Sequence, residues 1–444
     1  MPFTCKFGGT SLADAGQVRK VLAIVKKDAQ RQHIVVSAPG KRSQADRKVT
    51  DLFYAWHAVA GVQVSSDEVR KQIEDRYGEI IQNLGLDLDL SGEFSKIAQR
   101  LDQGATREYA ASRGEYLMGR LMAKALGFGF IDPATCVRIE KDGRLNSLLT
   151  YDLMAQAVGR AGNRVVMPGF YGGDLNGHEI KTFSRGGSDI SGSILTRATG
   201  DHLYENFTDV DGMRAADPKV VENPRRIVRL TYREARELSY MGFGVIHPEA
   251  LYPIQGMKEP ATTHIRNTND LDGDGTRIIP DSEMSTCPGE IVGIAGRKNF
   301  TAVHLDKPLM NQDVGFAHRA LGALLRQGVS FDLLPGSIDT IDIVIDQAQL
   351  ENGKLGAITG EIRNECEGAE FETYEDLALI AFVGNGMVHT KGVAARIFAA
   401  VDKVGVSVRL INQGLNERNI MVGVANADYE KTIQAGYAEF FGRA

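Results

Sequence analysis

The residues of this chain best suited to anion chemistry are Lys6-Phe7-Gly8-Gly9-Thr10-Ser11, a lysine close to a glycine pair. Two adjacent glycines let backbone N–H groups approach a phosphate without a Cβ in the way, and a helix starting just behind them adds its partial positive charge. Lys6 supplies a full charge. The G-x4-G-K-[ST] spacing of a Walker loop is absent, so a nucleotide would be held here by a different turn. Taken alone, Lys-x-Gly-Gly is also what a plain strand-to-helix turn looks like. A second stretch, Phe183-Ser184-Arg185-Gly186-Gly187-Ser188-Asp189, repeats the glycine pair at a helix start and adds a guanidinium suited to a carboxylate, a hydroxyl and an acid. A third loop, Thr208-Asp209-Val210-Asp211-Gly212, runs on to Asp217-Pro218-Lys219. Each could be a turn; the three together point to a polyphosphate site.

These loops need elements to carry them. Phe3 to Phe7 is a short apolar strand, and Val18, Val21, Leu22 and Val25 give the following helix one apolar face, opened by an Asp14/Gln17 capping box. Further strand signals at His33–Ala38, Arg164–Gly169, His202–Phe207 and Thr263–Asn267 alternate with helical periods, an α/β pattern through the first 270 residues. Ligands in such sheets bind at the carboxyl ends of the strands. Ser37-Ala38-Pro39-Gly40 leaves one of those ends and opens a polar stretch, Lys41 to Lys48, that reads as a surface loop or as a mobile lid over phosphates.

Composition narrows the function. With 444 residues, 43% hydrophobic and 24% charged, the chain has room for about three ordinary globular domains. Its net charge of −6 is spread evenly, which argues against a nucleic-acid or membrane-surface footprint. Cys5, Cys136, Cys287 and Cys366 lie far apart without a C-x-x-C pair, so a reducing compartment, the cytoplasm, is expected rather than a disulfide framework or zinc site. No signal-peptide pattern opens the chain, and no apolar run approaches the roughly 18 residues of a membrane span.

With Lys6–Ser11, Val36-Ser37-Ala38, Arg113-Gly114-Glu115, Phe183–Asp189 and Thr208–Gly212 in this order, the sequence resembles the aspartate kinases of the amino-acid-kinase family over essentially its whole length. The resemblance implies a three-layer αβα kinase fold with a mainly parallel sheet over residues 1–284. It implies ATP-dependent phosphorylation of the β-carboxylate of L-aspartate, with Mg2+ held mainly through the nucleotide phosphates. Lys6 and Asp189 would be catalytic; Lys6, Gly8, Gly9, Ser188, Thr208, Asp209 and Lys219 would bind ATP; Thr10, Ser37, Thr50, Glu115 and Arg185 would bind aspartate. Two positions depart from the family's habit: Arg214 stands where Tyr is frequent, and Val245 where Lys is frequent. The chemistry agrees with these roles. A β-carboxylate, with a pKa near ~3.9, is already ionised at neutral pH, so the site needs cations and positioning rather than a general base.

Beyond residue 285 the sequence repeats with a period of 77: Gly315 maps to Gly392, Arg319 to Arg396, Gly328-Val329-Ser330 to Gly405-Val406-Ser407 and Ile343 to Ile420. The copies, at 285–372 and 373–444, resemble paired ferredoxin-like ACT modules, which implies feedback control and a homo-oligomer through ACT pairing. Asp332 and Ser337 in the first copy are Arg409 and Gly414 in the second. Met310, Asp313 and Phe316 lie where lysine-sensitive relatives contact their effector, so the resemblance, together with this difference, implies an inhibitory amino acid, lysine first among candidates, at Met310, Asp313, Phe316, Asp332 and Ser337. A purely dimerising pair without a ligand is the alternative. Another kinase of the same fold and a non-catalytic amino-acid sensor are the rival functions. Asp270-Leu271-Asp272-Gly273-Asp274-Gly275 imitates a calcium loop, but it follows a strand and Pro280 precedes the closing position, so a polar turn is expected. His247 and Trp56 read as packing.

Overall fold

The computed structural model describes residues 1–60, 63–183, 186–286, 290–416 and 418–442. They form two units. The first comprises Met1–Met213, Arg226–Tyr240 and Gly244–Cys287, and the second Arg214–Arg225, Met241–Phe243 and Pro288–Ala444. The two short excursions depart from a single division at 284/285.

In chain order the first unit runs β1 (Phe3–Phe7), α1 (Ala15–Lys27), β2 (Arg31–Val36), α2 (Val49–Ala58), α3 (Gln63–Leu84), α4 (Ser91–Asp102), α5 (Arg107–Leu126), β3 (Gly129–Phe130) and α6 (Ser147–Ala161). It continues with β4 (Val165–Pro168), the hairpin β5 (Tyr171–Gly173) and β6 (Ile180–Thr182), α7 (Gly187–Thr199) and β7 (Leu203–Thr208). Last come β8 (Arg229–Thr231), α8 (Tyr232–Tyr240), α9 (Tyr252–Gln255), β9 (Thr262–Asn267) and β10 (Thr276–Ile279). Eight strands make one sheet in the order β3-β4-β2-β1-β7-β9-β10-β8, parallel except for the β9–β10 pair. The calcium-like stretch is the turn between β9 and β10, where Asp270 accepts the Gly273 N–H.

Side-chain alternation along β1 assigns its two faces. Cys5 and Phe7 enter a core with Val18, Val21 and Val25 of α1 and Leu117, Met118 and Leu121 of α5, backed by α2, α3 and α4. Thr4 and Lys6 point the other way, toward the layer that holds α7. That layer is close: a Cβ at Gly192 of α7 would lie 2.4 Å from the Tyr204 hydroxyl of β7. The α1 start is as expected, with Asp14 Oδ1 accepting the Gln17 N–H at 2.9 Å. Trp56 is fully buried and stacks on Phe53.

The second unit is built on β11 (Gly293–Asp306), α10 (Phe316–Arg326), β12 (Thr340–Asp346), α11 (Lys354–Glu365), β13 (Glu370–Val383), α12 (Val393–Lys403), β14 (Leu410–Asn412), β15 (Asn419–Val424) and α13 (Tyr429–Phe441). Its five strands form an antiparallel sheet in the order β12-β11-β13-β15-β14. The repeat is visible in the backbone: Gly315 and Gly392 open α10 and α12 with φ of 84° and 86°, and Gly328 and Gly405 follow those helices with φ of 61° and 69°. The copies are nevertheless interleaved. Residues 300–306 of β11 pair with β12, whereas residues 293–297 pair with 379–383 of β13, whose far side pairs with β15. Each long strand therefore serves both repeats, and a boundary at 372/373 falls inside β13. The excursion 214–225 docks on this unit: Ile294 N–H donates to Ala215 O, Arg225 N–H to the Tyr437 hydroxyl and Gln434 Nε2 to Val220 O, each at 2.8 Å.

Candidate active site

The carboxyl ends of β4, β2, β1, β7 and β9 lie side by side, and the loops singled out in the sequence leave from them. Gly8 follows β1 and donates its N–H to Phe207 O on β7 at 3.1 Å. That bond removes Gly8 as a donor to phosphate. Among the described residues no acceptor takes the N–H of Gly9 or Thr10, and these two open the 3-10 turn Thr10–Leu12. The same holds at α7, where Gly187 and Ser188 carry N–H groups without an acceptor behind the left-handed Gly186. Among the described residues, then, two half-cradles of unpaired N–H donors stand at two helix starts, an arrangement suited to a polyanion.

Between them lies a charged core. Lys6 Nζ is 2.6 Å from Asp189 Oδ1 and 3.3 Å from Asn206 Oδ1, and Asn206 Nδ2 donates to Asp189 Oδ1 at 3.0 Å. The lysine is 8% exposed. Asn206, on β7, was not read from the sequence: it sits inside an ordinary strand pattern, and only the β1–β7 pairing, Lys6 opposite Asn206, brings it into play. Ser37 at the end of β2 donates to Ser188 Oγ at 2.9 Å, which joins the β2 loop to α7.

Glu115 on α5 is 5% exposed, and its Oε2 has no hydrogen-bond partner. Burial pushes its pKa up to about 8, against the pull of backbone N–H bonds, one of them from Ala38, and of Arg113. An acid buried and half satisfied is a place made for a cation. Arg113, in the same motif, stacks against Tyr109, Tyr116 and Tyr171 and is structural. Glycine spacing holds this wall tight: a Cβ on Gly114 would lie 2.8 Å from Ala38 Cβ, one on Gly9 2.9 Å from Ala38 O, and one on Gly169 2.8 Å from Ser188. Phe170 takes φ of 81°, a costly conformation for an aromatic residue, and accepts the Phe183 N–H. No sequence signal marked it.

Thr10 is exposed, and Thr50 is half-buried in the first turn of α2, whose Val49 N–H bonds to Pro39 O. Thr208 and Asp209 leave β7 beside Gly8, with Thr208 donating to its neighbour's carboxylate. Lys219 is exposed and belongs to the excursion held by the second unit. Arg185 lies outside the described residues. His247 packs where a Cβ on Gly186 would be 2.2 Å away.

The five effector positions are not gathered in one place. Ser337 pairs with Thr340 near Met310 and Asp313, whereas Asp332 lies at the opposite end of β12, accepting the Asp346 N–H and 4.0 Å from Arg297. Antiparallel pairing along 333–336 and 341–344 separates the two ends. Asp313 is bound by Lys307 and by Arg319, the latter at 2.7 Å, and Phe316 is buried in the module core.

Comparison with known proteins identifies the fold and the family. The amino acid kinase family model matches residues 1–267, and an ACT domain model matches 380–440. Aspartokinase 3 of Bacillus subtilis is 36% identical over 456 residues, covering 98% of both chains. The chain belongs to the aspartate kinases of the amino acid kinase family. The crystal structure of Clostridium acetobutylicum aspartate kinase shares 42% identity with a TM-score of 0.87, covering 99% of this chain and 100% of that one. Escherichia coli aspartokinase III, solved with aspartate and ADP, shares the fold at 24% identity and a TM-score of 0.80, over 99% and 100% of the two chains. As an aspartate kinase, this chain phosphorylates aspartate with ATP and carries ACT modules typical of feedback control. Among the described residues no helix is long and apolar enough to cross a membrane.

Proposed function

We propose that Glu115 selects aspartate by its ammonium, while the two glycine cradles hold ATP above it. The observation that carries this is the buried Glu115 carboxylate, half of which lacks a partner, beside Ser37-Ala38 at the carboxyl end of β2. Arg185 would take the α-carboxylate, with Thr10, Ser37 and Thr50 around the substrate. Gly9, Thr10, Gly187 and Ser188 offer N–H groups to the phosphates, Lys6 gives the charge, and Thr208 and Asp209 face the nucleotide. Mg2+ would ride on the phosphates and neutralise charge there, since Asp189 is engaged by Lys6 and Asn206. Asp189 then orients Lys6. The attacking carboxylate needs no base, and repulsion between two anions is what the cations and N–H groups relieve.

The first repeat would hold a regulatory amino acid, lysine foremost, in the region of Met310, Asp313 and Ser337. Exposed Leu309, Val314 and Ile338 rim that region and favour coverage by a second copy, hence a homo-oligomer. Buried free Cys5, Cys136 and Cys366 suit a cytoplasmic enzyme. A coupled ADP-release assay across aspartate, glutamate and N-acetylglutamate tests the specificity. Turnover with aspartate alone is expected; equal turnover with N-acetylglutamate, which has no ammonium, would refute the role of Glu115. Calorimetric titration with lysine, threonine and methionine tests the sensing role, and heat from none of them would overturn it.

A further inference from the structure

Arg76, in the middle of α3, belongs to no motif and touches none of the candidate substrate groups, yet its buried guanidinium reaches the backs of several of them. Its side chain is 4% exposed. Nη1 donates to Gly40 O at 3.1 Å and to Ala13 O at 3.4 Å, and Nη2 to both oxygens of Asp46, at 2.8 and 2.6 Å. Ala13 closes the turn that begins in the phosphate cradle. Gly40 packs on the cradle itself, its N–H donating to Gly9 O at 2.8 Å, and a Cβ there would lie 2.6 Å from the Gly9 carbonyl carbon. Asp46 belongs to the basic stretch Lys41–Lys48 that runs into α2 and Thr50. The next residue of α3, Tyr77, is fully buried and donates to Gly114 O at 2.6 Å, immediately before Glu115.

We propose that Arg76 is a positioning residue for phosphoryl transfer: with Asp46 it clamps the Gly8–Ala13 cradle and the Ser37–Thr50 loop at a fixed spacing, so that the phosphate side and the aspartate side of the site stay in register. The inference rests on the cradle reading given above. The clamp is built to last. Burial alone would raise the pKa of Asp46, but hydrogen bonds from Arg42 and attraction from Arg76 and Arg42 hold it well below the usual carboxylate range. A guanidinium buried this deeply is stable only where its donors are satisfied, and here they are satisfied by the segments whose separation matters. The same contacts give the basic stretch an anchor at Asp46 rather than leaving it a free lid.

A lysine at this position has one ammonium and cannot serve two carbonyls and a carboxylate in one plane. In Arg76→Lys and in Asp46→Asn, kcat should fall by a factor on the order of 10², the effect of displacing reacting groups by about an ångström, while KM for ATP and for aspartate move only a few-fold. The measurement is steady-state kinetics of the full-length enzyme, with kcat referred to ATP sites counted by calorimetry, alongside melting curves. In Arg76→Ala, added guanidinium should restore part of kcat. A merely structural arginine predicts the reverse: fewer ATP sites and a lower melting temperature, but normal kcat per site and no rescue. That pattern would overturn the clamp. Failure of the wild type to bind ATP would overturn the cradle reading together with the clamp; normal ATP binding with unchanged kcat in both variants would overturn the clamp alone.

Discussion

In the proposed mechanism, two side chains carry most of the chemistry at the residue scale. Lys6 is buried, paired with Asp189 and steadied by Asn206, so its charge is aimed before substrate arrives. Lys6→Ala should fold and still lose a factor of 10²–10³ in kcat, about 2.7–4 kcal/mol, as is typical for one preorganised donor; a near-normal kcat in steady-state assays would refute the aim. Glu115 makes a prediction about protons. Its pKa of about 8 means that the ligand-free site is mostly protonated at pH 7, whereas the proposed contact with the aspartate ammonium requires the carboxylate. Aspartate binding near pH 7 should therefore release close to one proton, and affinity should rise with pH and level off above about 8. Calorimetry in buffers of different ionisation enthalpy reads this directly, and Glu115→Gln should abolish the release. The linkage to stability has the opposite sense. Because the folded pKa lies above the ordinary 4.5, the stability this group contributes to the empty enzyme is complete below about pH 4.5 and is lost as pH climbs through about 8.

At the scale of elements, the site depends on loops packed backbone to backbone. Gly40→Ala would force a methyl to within 2.6–2.8 Å of Gly9 and Thr10 backbone atoms that cannot yield without moving the cradle. A loss of about 1–3 kcal/mol of stability is expected, together with most of the activity, by denaturant titration and assay. This tightness is also why these parts were legible in the sequence. A close backbone approach is written locally, as glycine at a helix start, and the strand and capping signals of β1 and α1 are equally local. Asn206, Phe170, Arg76 and Tyr77 were not legible, because an asparagine in a strand or an arginine in a helix has no local mark; strand order and helix packing give them their roles. Gly8 was half legible. It stands at the turn after β1, but a Cβ there would meet nothing closer than 3.5 Å, and pairing with Phe207 uses its N–H. The separation of Asp332 from Ser337 was not legible for a related reason: matching repeat positions locates residues along a strand without saying that these two stand at its two ends.

On the scale of the molecule, the regulatory unit is one body made from two repeats. β13 runs across the boundary between the repeats, and β11, which lies in the first, pairs through residues 293–297 with 379–383 of the second, so neither repeat owns a full set of strands. Residues 290–442 should accordingly unfold in one cooperative transition, whereas 373–442, which lacks the 293–297 strand, should be unfolded by circular dichroism; a folded short fragment would contradict the interleaving. The shared strands also limit how such a unit can change hands between genes. A recombination breakpoint between the repeats would join the front half of one parent's β13 to the back half of another's, and would mate a β11 from one lineage with partners from a second. Effector specificity should therefore travel between relatives as a whole cassette, never as a single repeat.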